Sequence, residues 1–158
     1  MPKPGLDESD YRILQNLQED ARLTNVELAD RIGLSPSPCL RRLKRLEEDG
    51  VISGYMTLVD QNAVGLPVSV FVNVTLKEQS ETALEKFEAR IRQLPQVMEC
   101  YLMTGTSDYL LRVVTADLAA YERFLKDHLT RIPVIASIQS SFALKQVSFR
   151  TALPLPTA

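Results

Sequence analysis

The chain has 158 residues, 45% hydrophobic and 24% charged, with a formal net charge of −2, an ordinary globular composition. No run approaches the roughly 18 apolar residues of a membrane span, and Met1-Pro2-Lys3-Pro4-Gly5 lacks the apolar stretch of an export signal, so a cytoplasmic protein without membrane contact is expected. One histidine, His128, and two distant cysteines, Cys39 and Cys100, supply no metal-ligand set, and the cysteines are expected as free thiols.

In chain order, Asp7 can cap a first helix running to about Asp20, with Tyr11, Ile13, Leu14 and Leu17 as its apolar stripe. Thr24-Asn25-Val26-Glu27 forms a capping box, a hydroxyl at the N-cap and a carboxylate three residues on. Val26, Leu28, Ala29 and Ile32 are expected to pack inward from this second helix, which Gly33 stops. Ser35 caps a third helix, and Pro36 fits its first position, where no backbone N–H is needed. Leu40, Leu43 and Leu46 are expected inward on it, flanked by Arg41, Arg42, Lys44 and Arg45. Gly50 ends it, and Val51-Ile52 is expected to open a strand or ribbon over residues 51–60. Helix, tight turn, basic helix and ribbon make a winged helix-turn-helix, the common device for placing one helix in the DNA major groove.

Net charge alone argues against a nucleic-acid partner. Residues 1–54 carry 8 Lys/Arg against 10 Asp/Glu, and residues 55–158 carry 10 of each, so neither half is basic. The cations instead concentrate on the third helix. Affinity for DNA depends on the cations that face phosphates rather than on total charge. A basic run is ordinarily just a solvated helix face, but its place in the helix-turn-helix makes DNA contact the expectation. Ser35, Ser37 and Pro38 lie at the helix N-terminus, where hydroxyls, free N–H groups and the dipole can hold a phosphate. Arg41 is the candidate for a guanine edge, because a guanidinium can donate to both O6 and N7. Arg42 and Arg45 are candidates for phosphates.

Asp60 to Pro67 reads as a hinge. Beyond it Val68, Val70, Val72, Val74 and Leu76 alternate with Ser69, Phe71, Asn73 and Thr75, a strand signal. Ser80 starts a helix with Leu84, Phe87, Ile91 and Leu94 inward. Strands over 97–104 and 108–115 flank the turn Gly105-Thr106-Ser107. Asp117 caps a helix expected to bury Leu118, Tyr121, Phe124, Leu125, Leu129 and Ile132, and a last strand covers 134–144. This is the βαββαβ order of a ferredoxin-like domain, with both helices on one face of an antiparallel sheet. The other face is left bare, with Phe71, Cys100 or Tyr101, and Leu110 or Leu111 available to it, so a sheet-to-sheet dimer with further association is expected. The chain thus divides into a helix-turn-helix domain at 1–54, a β-linker at 55–66 and a ferredoxin-like domain at 67–158, an α+β protein.

From Leu6-Asp7 to about residue 145 the chain resembles the Lrp/AsnC family of bacterial and archaeal transcription regulators. The resemblance rests on Asn25-Val26-Glu27-Leu28-Ala29, on Gly33-Leu34-Ser35-Pro36-Ser37-Pro38-Cys39-Leu40-Arg41-Arg42-Leu43, on Gly50-Val51-Ile52-Ser53-Gly54-Tyr55, and on Val97-Met98-Glu99-Cys100 followed by Thr104-Gly105 and Asp108-Tyr109-Leu110-Leu111-Arg112-Val113. It implies a DNA-binding domain joined to an amino-acid-sensing domain, in dimers that build to assemblies such as octamers with the effector between dimers. Thr104, Gly105, Thr106, Ser107, Asp108 and Tyr109 then become the candidate effector site. Gly105 would let backbone N–H groups approach a carboxylate, Asp108 would meet an ammonium group, and Gln139 and Ser140 would add to the pocket from a neighbouring chain. The sequence departs from the family where the turn usually reads Gly-Asp and here reads Gly105-Thr106, and in Val134-Ile135 and Ile138 of the last strand.

No triad, phosphate-binding glycine loop or carboxylate pair suggests an enzyme, and no cofactor is expected. The strands also lack the aromatic run with which an RNA-recognition sheet stacks bases. The expected function is that of a DNA-binding regulator whose assembly or affinity responds to a small amino acid. The alternatives are a ligand-independent architectural regulator and an amino-acid sensor acting through protein contacts.

Overall fold

The computed structural model describes residues 5–156; the Met1-Pro2-Lys3-Pro4 part of the N-terminal reading lies outside them. Three helices open the chain: α1 at Glu8–Glu19, α2 at Asn25–Ile32 and α3 at Pro36–Glu48. Their boundaries follow from local chemistry. Asp7 and Asp10 cap α1 reciprocally, Thr24 and Glu27 do the same for α2, and Gly33 leaves α2 at a φ of 72°, in the left-handed region. Pro36 takes the first turn of α3, and Gly50 follows that helix at a φ of 70°. Asn25 Nδ2 donates to the Pro36 carbonyl at 2.8 Å, tying the start of α2 to the start of α3. The core between the helices is Ile13, Leu28, Ala29, Ile32, Cys39 and Leu46, with Leu14, Leu17, Leu43, Val51 and Ile52 packed against it.

Several expectations fail here. Val26 is 64% exposed and Leu40 is 40% exposed, so neither belongs to the core. Helical spacing placed both near the inner stripe, but neither side chain packs against the core of this unit. Residues 51–60 carry no strand. Both Val51 and Ile52 donate their N–H to the Leu46 carbonyl, which folds them back under α3, while Tyr55, Met56, Leu58 and Val59 belong to no helix or strand and are more than half exposed. A ribbon needs a neighbouring strand for its N–H and C=O groups, and the described residues of this chain supply none. Residues 60–66 form a hydrogen-bonded turn, Asp60 Oδ1 accepting from the Ala63 N–H at 2.8 Å and the Leu66 N–H donating to the Gln61 carbonyl at 2.8 Å. Arg112 donates to Gln61 in turn, so this stretch is fastened to the sheet domain.

The second unit is built from β1 at Val68–Leu76, α4 at Glu81–Ile91, β2 at Val97–Leu102, β3 at Tyr109–Thr115, α5 at Leu118–Asp127, a single 3-10 turn at Leu129–Arg131 and β4 at Ile135–Phe142. The strands form a four-stranded sheet in the order β2-β3-β1-β4, every neighbouring pair antiparallel. Each helix connects two parallel strands across the strand lying between them, the ferredoxin-like topology. Ser80 and Asp117 cap α4 and α5 by accepting from Ala83 and Ala120 N–H groups. Alternation puts Val70, Val72, Val74, Leu76, Tyr109, Leu111 and Val113 under the helices, against Phe87, Ile91, Tyr121, Phe124, Leu129 and Ile132. Leu118, expected inward, is 57% exposed in the first turn of α5.

Strand register settles which residues share the open face. Phe71 pairs with Arg112, Tyr101 with Leu110, and Cys100 with Leu111. The open face therefore presents Phe71, Leu110 and Tyr101, whereas Cys100 and Leu111 face the helices. Arg112, Asn73 and Gln139 share that open face, which is more polar than the apolar count alone suggested. The partition into compact units also differs from the expected boundaries: among the described residues the helix-turn-helix unit comprises 5–58 together with 147–156, and the sheet unit comprises 59–146. Within the first unit, the C-terminal segment lies along α1. Gln18 accepts from the Leu153 N–H at 2.7 Å and donates to the Leu153 carbonyl at 3.1 Å, and Gln15 donates to the Pro156 carbonyl at 3.2 Å.

Candidate nucleic-acid interface and effector face

The cations of α3 divide into two sets. Asp10 of α1 is wholly buried, and its carboxylate accepts from Arg42 at 3.0 Å and from Arg45. Asp7 receives Arg42 as well, at 2.7 Å. The Asp10 backbone N–H and then the Arg42 guanidinium hold the Asp7 carboxyl below its ordinary value of 3.8. Arg42 and Arg45 thus fasten α3 to α1. Arg45, with its side chain 49% exposed, still reaches the outer face, while Arg42 is 28% exposed and turned toward the acids. Buried carboxylates are tolerated where charge partners and hydrogen bonds replace water, and Asp10 meets that condition.

The other set faces solvent. Ser37, Leu40, Arg41, Lys44, Arg45 and Glu48 line a shallow groove along α3, the residues spaced three and four apart that share one helix face. Arg41 and Lys44 form no ion pair among the described residues and are exposed. Ser35 stands at the N-cap position with its hydroxyl making no cap bond, and Ser37 is exposed beside it; Pro38 is half-buried. The Ser35 and Ser37 hydroxyls, the Ser37 N–H and the positive helix end therefore meet at the start of α3, where Pro36 and Pro38 carry no N–H and the Cys39 N–H is taken by the Ser35 carbonyl, an arrangement suited to a phosphate oxygen. The sequence assigned Arg41 to a base edge and Arg42 and Arg45 to phosphates, and Lys44 was not among those contacts; the structure leaves Arg41 and Lys44 exposed and ties Arg42 and Arg45 to acids of α1. Asp7 and Asp10, spaced as a reciprocal cap, were the available hint that some of these arginines have acidic partners within the fold.

The effector candidates are less united. Residues 104–107 form an exposed-to-half-buried turn, with Gly105 at a φ of 122°, in the region that favours glycine. Ser107 Oγ donates to Asn73 Oδ1 at 3.1 Å, and Asn73 pairs across the sheet with Gln139, so Ser107, Asn73 and Gln139 make a polar row on the open face. Asp108 is not a free acid. Its carboxylate accepts from the Leu76 N–H at 2.7 Å and from Gln79 Nε2 at 3.0 Å, closing the end of β1 against the turn. Tyr109 is 1% exposed, its ring 4.4 Å from Phe87 and its hydroxyl donating to Glu88. Ser140 hydrogen-bonds to the Tyr121 hydroxyl beneath α5. Consecutive strand residues point to opposite faces, so Gln139 lies on the open face, while Tyr109 and Ser140 belong to the helix side. His128 caps the end of α5, its ring 5.6 Å from Phe124, and no group of His, Cys, Asp or Glu among the described residues could hold a metal. Both cysteines are free thiols. No helix among the described residues is long and apolar enough to cross a membrane.

Comparison with known proteins agrees with this two-part anatomy. Residues 6–53 match the family model for a winged helix-turn-helix DNA-binding domain, and residues 69–153 match the model for the Lrp/AsnC ligand binding domain. The Bkd operon transcriptional regulator of Pseudomonas aeruginosa is 50% identical over 95% of this chain and 98% of its own. The leucine-responsive regulatory protein of Escherichia coli is 36% identical over 99% of this chain and 95% of its own. Among solved structures, a transcriptional regulator of Neisseria meningitidis in complex with L-Met superposes with a TM-score of 0.91 at 43% identity, covering 95% of this chain and 97% of that one. An AsnC family transcriptional regulator from Agrobacterium tumefaciens gives 0.90 at 42% identity, covering 94% and 97%. With a helix-turn-helix whose third helix bares Arg41 and Lys44, a ferredoxin-like sheet domain and near full-length similarity to such regulators, this chain belongs to the Lrp/AsnC family of transcriptional regulators.

Proposed function

We propose that the chain binds promoter DNA through the outward face of α3 and that a small amino acid, held where copies of the sheet domain meet, changes its assembly or DNA affinity. One observation carries the DNA part: Arg41 and Lys44 stand exposed without acidic partners while Arg42 and Arg45 are held by Asp7 and Asp10. Arg41, one turn beyond Ser37, is placed to reach a guanine edge, with Ser35, Ser37 and Lys44 on phosphates. The role assigned to Arg42 becomes positional, and Arg45 keeps a part in both tasks. A dimer joined through its sheet faces would present two such helices about 34 Å apart, one DNA turn, favouring a pseudo-palindromic site. Association of dimers toward an octamer would let several heads engage one promoter. Nothing in this reading needs a cofactor or a catalytic group, and it places the protein in the cytoplasm with DNA.

Salt-titrated binding to promoter DNA tests it. Phosphate neutralisation predicts a steep fall of affinity with salt, made shallower by Arg41→Ala with Lys44→Ala. A flat dependence in the wild-type protein would overturn the DNA reading.

The effector part rests on the L-Met complex of the similar Neisseria regulator and on the turn at Thr104–Ser107 with its polar row. Coupling of about 1–3 kcal/mol between ligand and DNA would suffice. A thermal-shift screen of the twenty amino acids checks this, because any ligand of the folded state raises the melting temperature. One observation favours ligand-independent regulation instead: the Asp108 carboxylate is already occupied by Leu76 and Gln79, and Thr106 replaces the family's usual acid. No stabilisation by any amino acid would select that reading.

A further inference from the structure

The groove along α3 contains one residue with no polar purpose. Leu40 lies between Ser37 on one side and Arg41 and Lys44 on the other, 40% exposed, and it is not among the side chains packed on the helix-turn-helix core, whereas Leu43 and Leu46 of the same helix are. Its two ends also differ in charge. Glu47, Glu48 and Asp49 close the C-terminal end, where a carboxylate would repel phosphates, and the N-terminal half carries Ser35, Ser37, Arg41 and Lys44. The N-terminal half is therefore the part that can enter a groove lined by anions, and Leu40 sits within it. Base edges in the major groove are almost wholly hydrogen-bonding groups; the one apolar group they display is the C5-methyl of thymine.

We propose that Leu40 is a specificity-determining residue that reads a thymine methyl group, adjacent to the base pair contacted by Arg41. The inference rests on the proposed use of α3 in the major groove and adds the chemistry of one base to it. An isobutyl side chain against a methyl removes both from water, and against any other edge it covers hydrogen-bonding groups that then lose solvent. The preference is thus set by attraction to thymine and by the cost of covering the alternatives.

The test uses the full chain and a duplex recovered from a randomised 24-base-pair pool by repeated selection with the wild-type protein. Each thymine of that duplex is replaced singly by deoxyuridine, which removes the C5-methyl and leaves O4 and the pairing edge unchanged. For the wild-type protein one position per half-site should lose affinity about fourfold, the worth of one methyl group removed from water. Leu40→Ala should bind the thymine duplex more weakly and show no further loss on deoxyuridine replacement, while its salt slope and melting temperature match the wild type. Wild-type binding unaffected at every replacement, or a Leu40→Ala protein with the full methyl effect, overturns the assignment of Leu40 while leaving DNA binding by α3 standing. Failure to enrich any duplex, together with salt-independent binding, overturns the use of α3 itself and this proposal with it.

Discussion

Arg41 and Arg42 are neighbours in sequence with opposite circumstances. Arg42 donates to both Asp7 and Asp10, so Arg42→Ala should lower the melting temperature of the helix-turn-helix unit; Arg41→Ala should leave it unchanged and weaken DNA binding. Thermal unfolding beside a binding curve separates the two. Asp10→Ala should cost about 2–3 kcal/mol, less than a fully buried ion pair because Arg42 and Arg45 keep access to water. The Asp7 carboxyl is depressed in the folded state, so its contribution is present above its ordinary value of 3.8 and is lost as pH falls through the lower folded value. Urea unfolding across acidic pH should show stability falling as the pH drops below about 4, and Asp7→Asn should remove part of that fall. A rise in stability on acidification would refute the Asp7–Arg42 assignment.

Element ends differ in what their caps do. The Thr24 hydroxyl caps α2 by accepting from the Glu27 N–H, and the Thr24 N–H donates back to the Glu27 carboxylate, so Thr24→Ala should cost about 1 kcal/mol. Ser35 occupies the equivalent position of α3 without a cap bond, so Ser35→Ala should cost only a few tenths of a kcal/mol in stability while still reducing DNA affinity. Equal losses on chemical denaturation would show that Ser35 caps after all. The capping boxes, glycine stops and strand alternation were readable because they are local: each depends on residues within four positions. The extended stretch after Gly54 was misread for the opposite reason. Its β-branched and aromatic residues favour a strand, but a strand exists only where another backbone accepts its hydrogen bonds. The C-terminal segment on Gln15 and Gln18 was equally hidden, since nothing local links Leu153 to a glutamine 135 positions earlier.

Across the molecule, two units are joined both at residues 58–59 and at residues 146–147, because the C-terminal segment returns to the helix-turn-helix unit. The open sheet face bears Phe71, Leu110 and Tyr101 beside Arg112 and Gln139, a mixed surface suited to a second copy. For the proposed sheet-to-sheet dimer, Phe71→Glu should leave the chain monomeric while the sheet unit stays folded, since Arg112 lies directly across the strand pair to receive the carboxylate. Size-exclusion chromatography with light scattering reads the outcome, and unchanged assembly would exclude this face as the dimer contact. Sequence patterns alone were enough for the two-part architecture, the order of the helices and sheet strands and the identity of the basic helix, all of which arise from interactions between near neighbours. Tertiary packing decided which cations on that helix remain free, that Leu40 faces outward, that Asp108 is already bonded, and that Gln139 and Ser140 part to opposite faces. Those distinctions depend on what a distant segment places against each side chain, and burial and charge pairing are properties of that encounter.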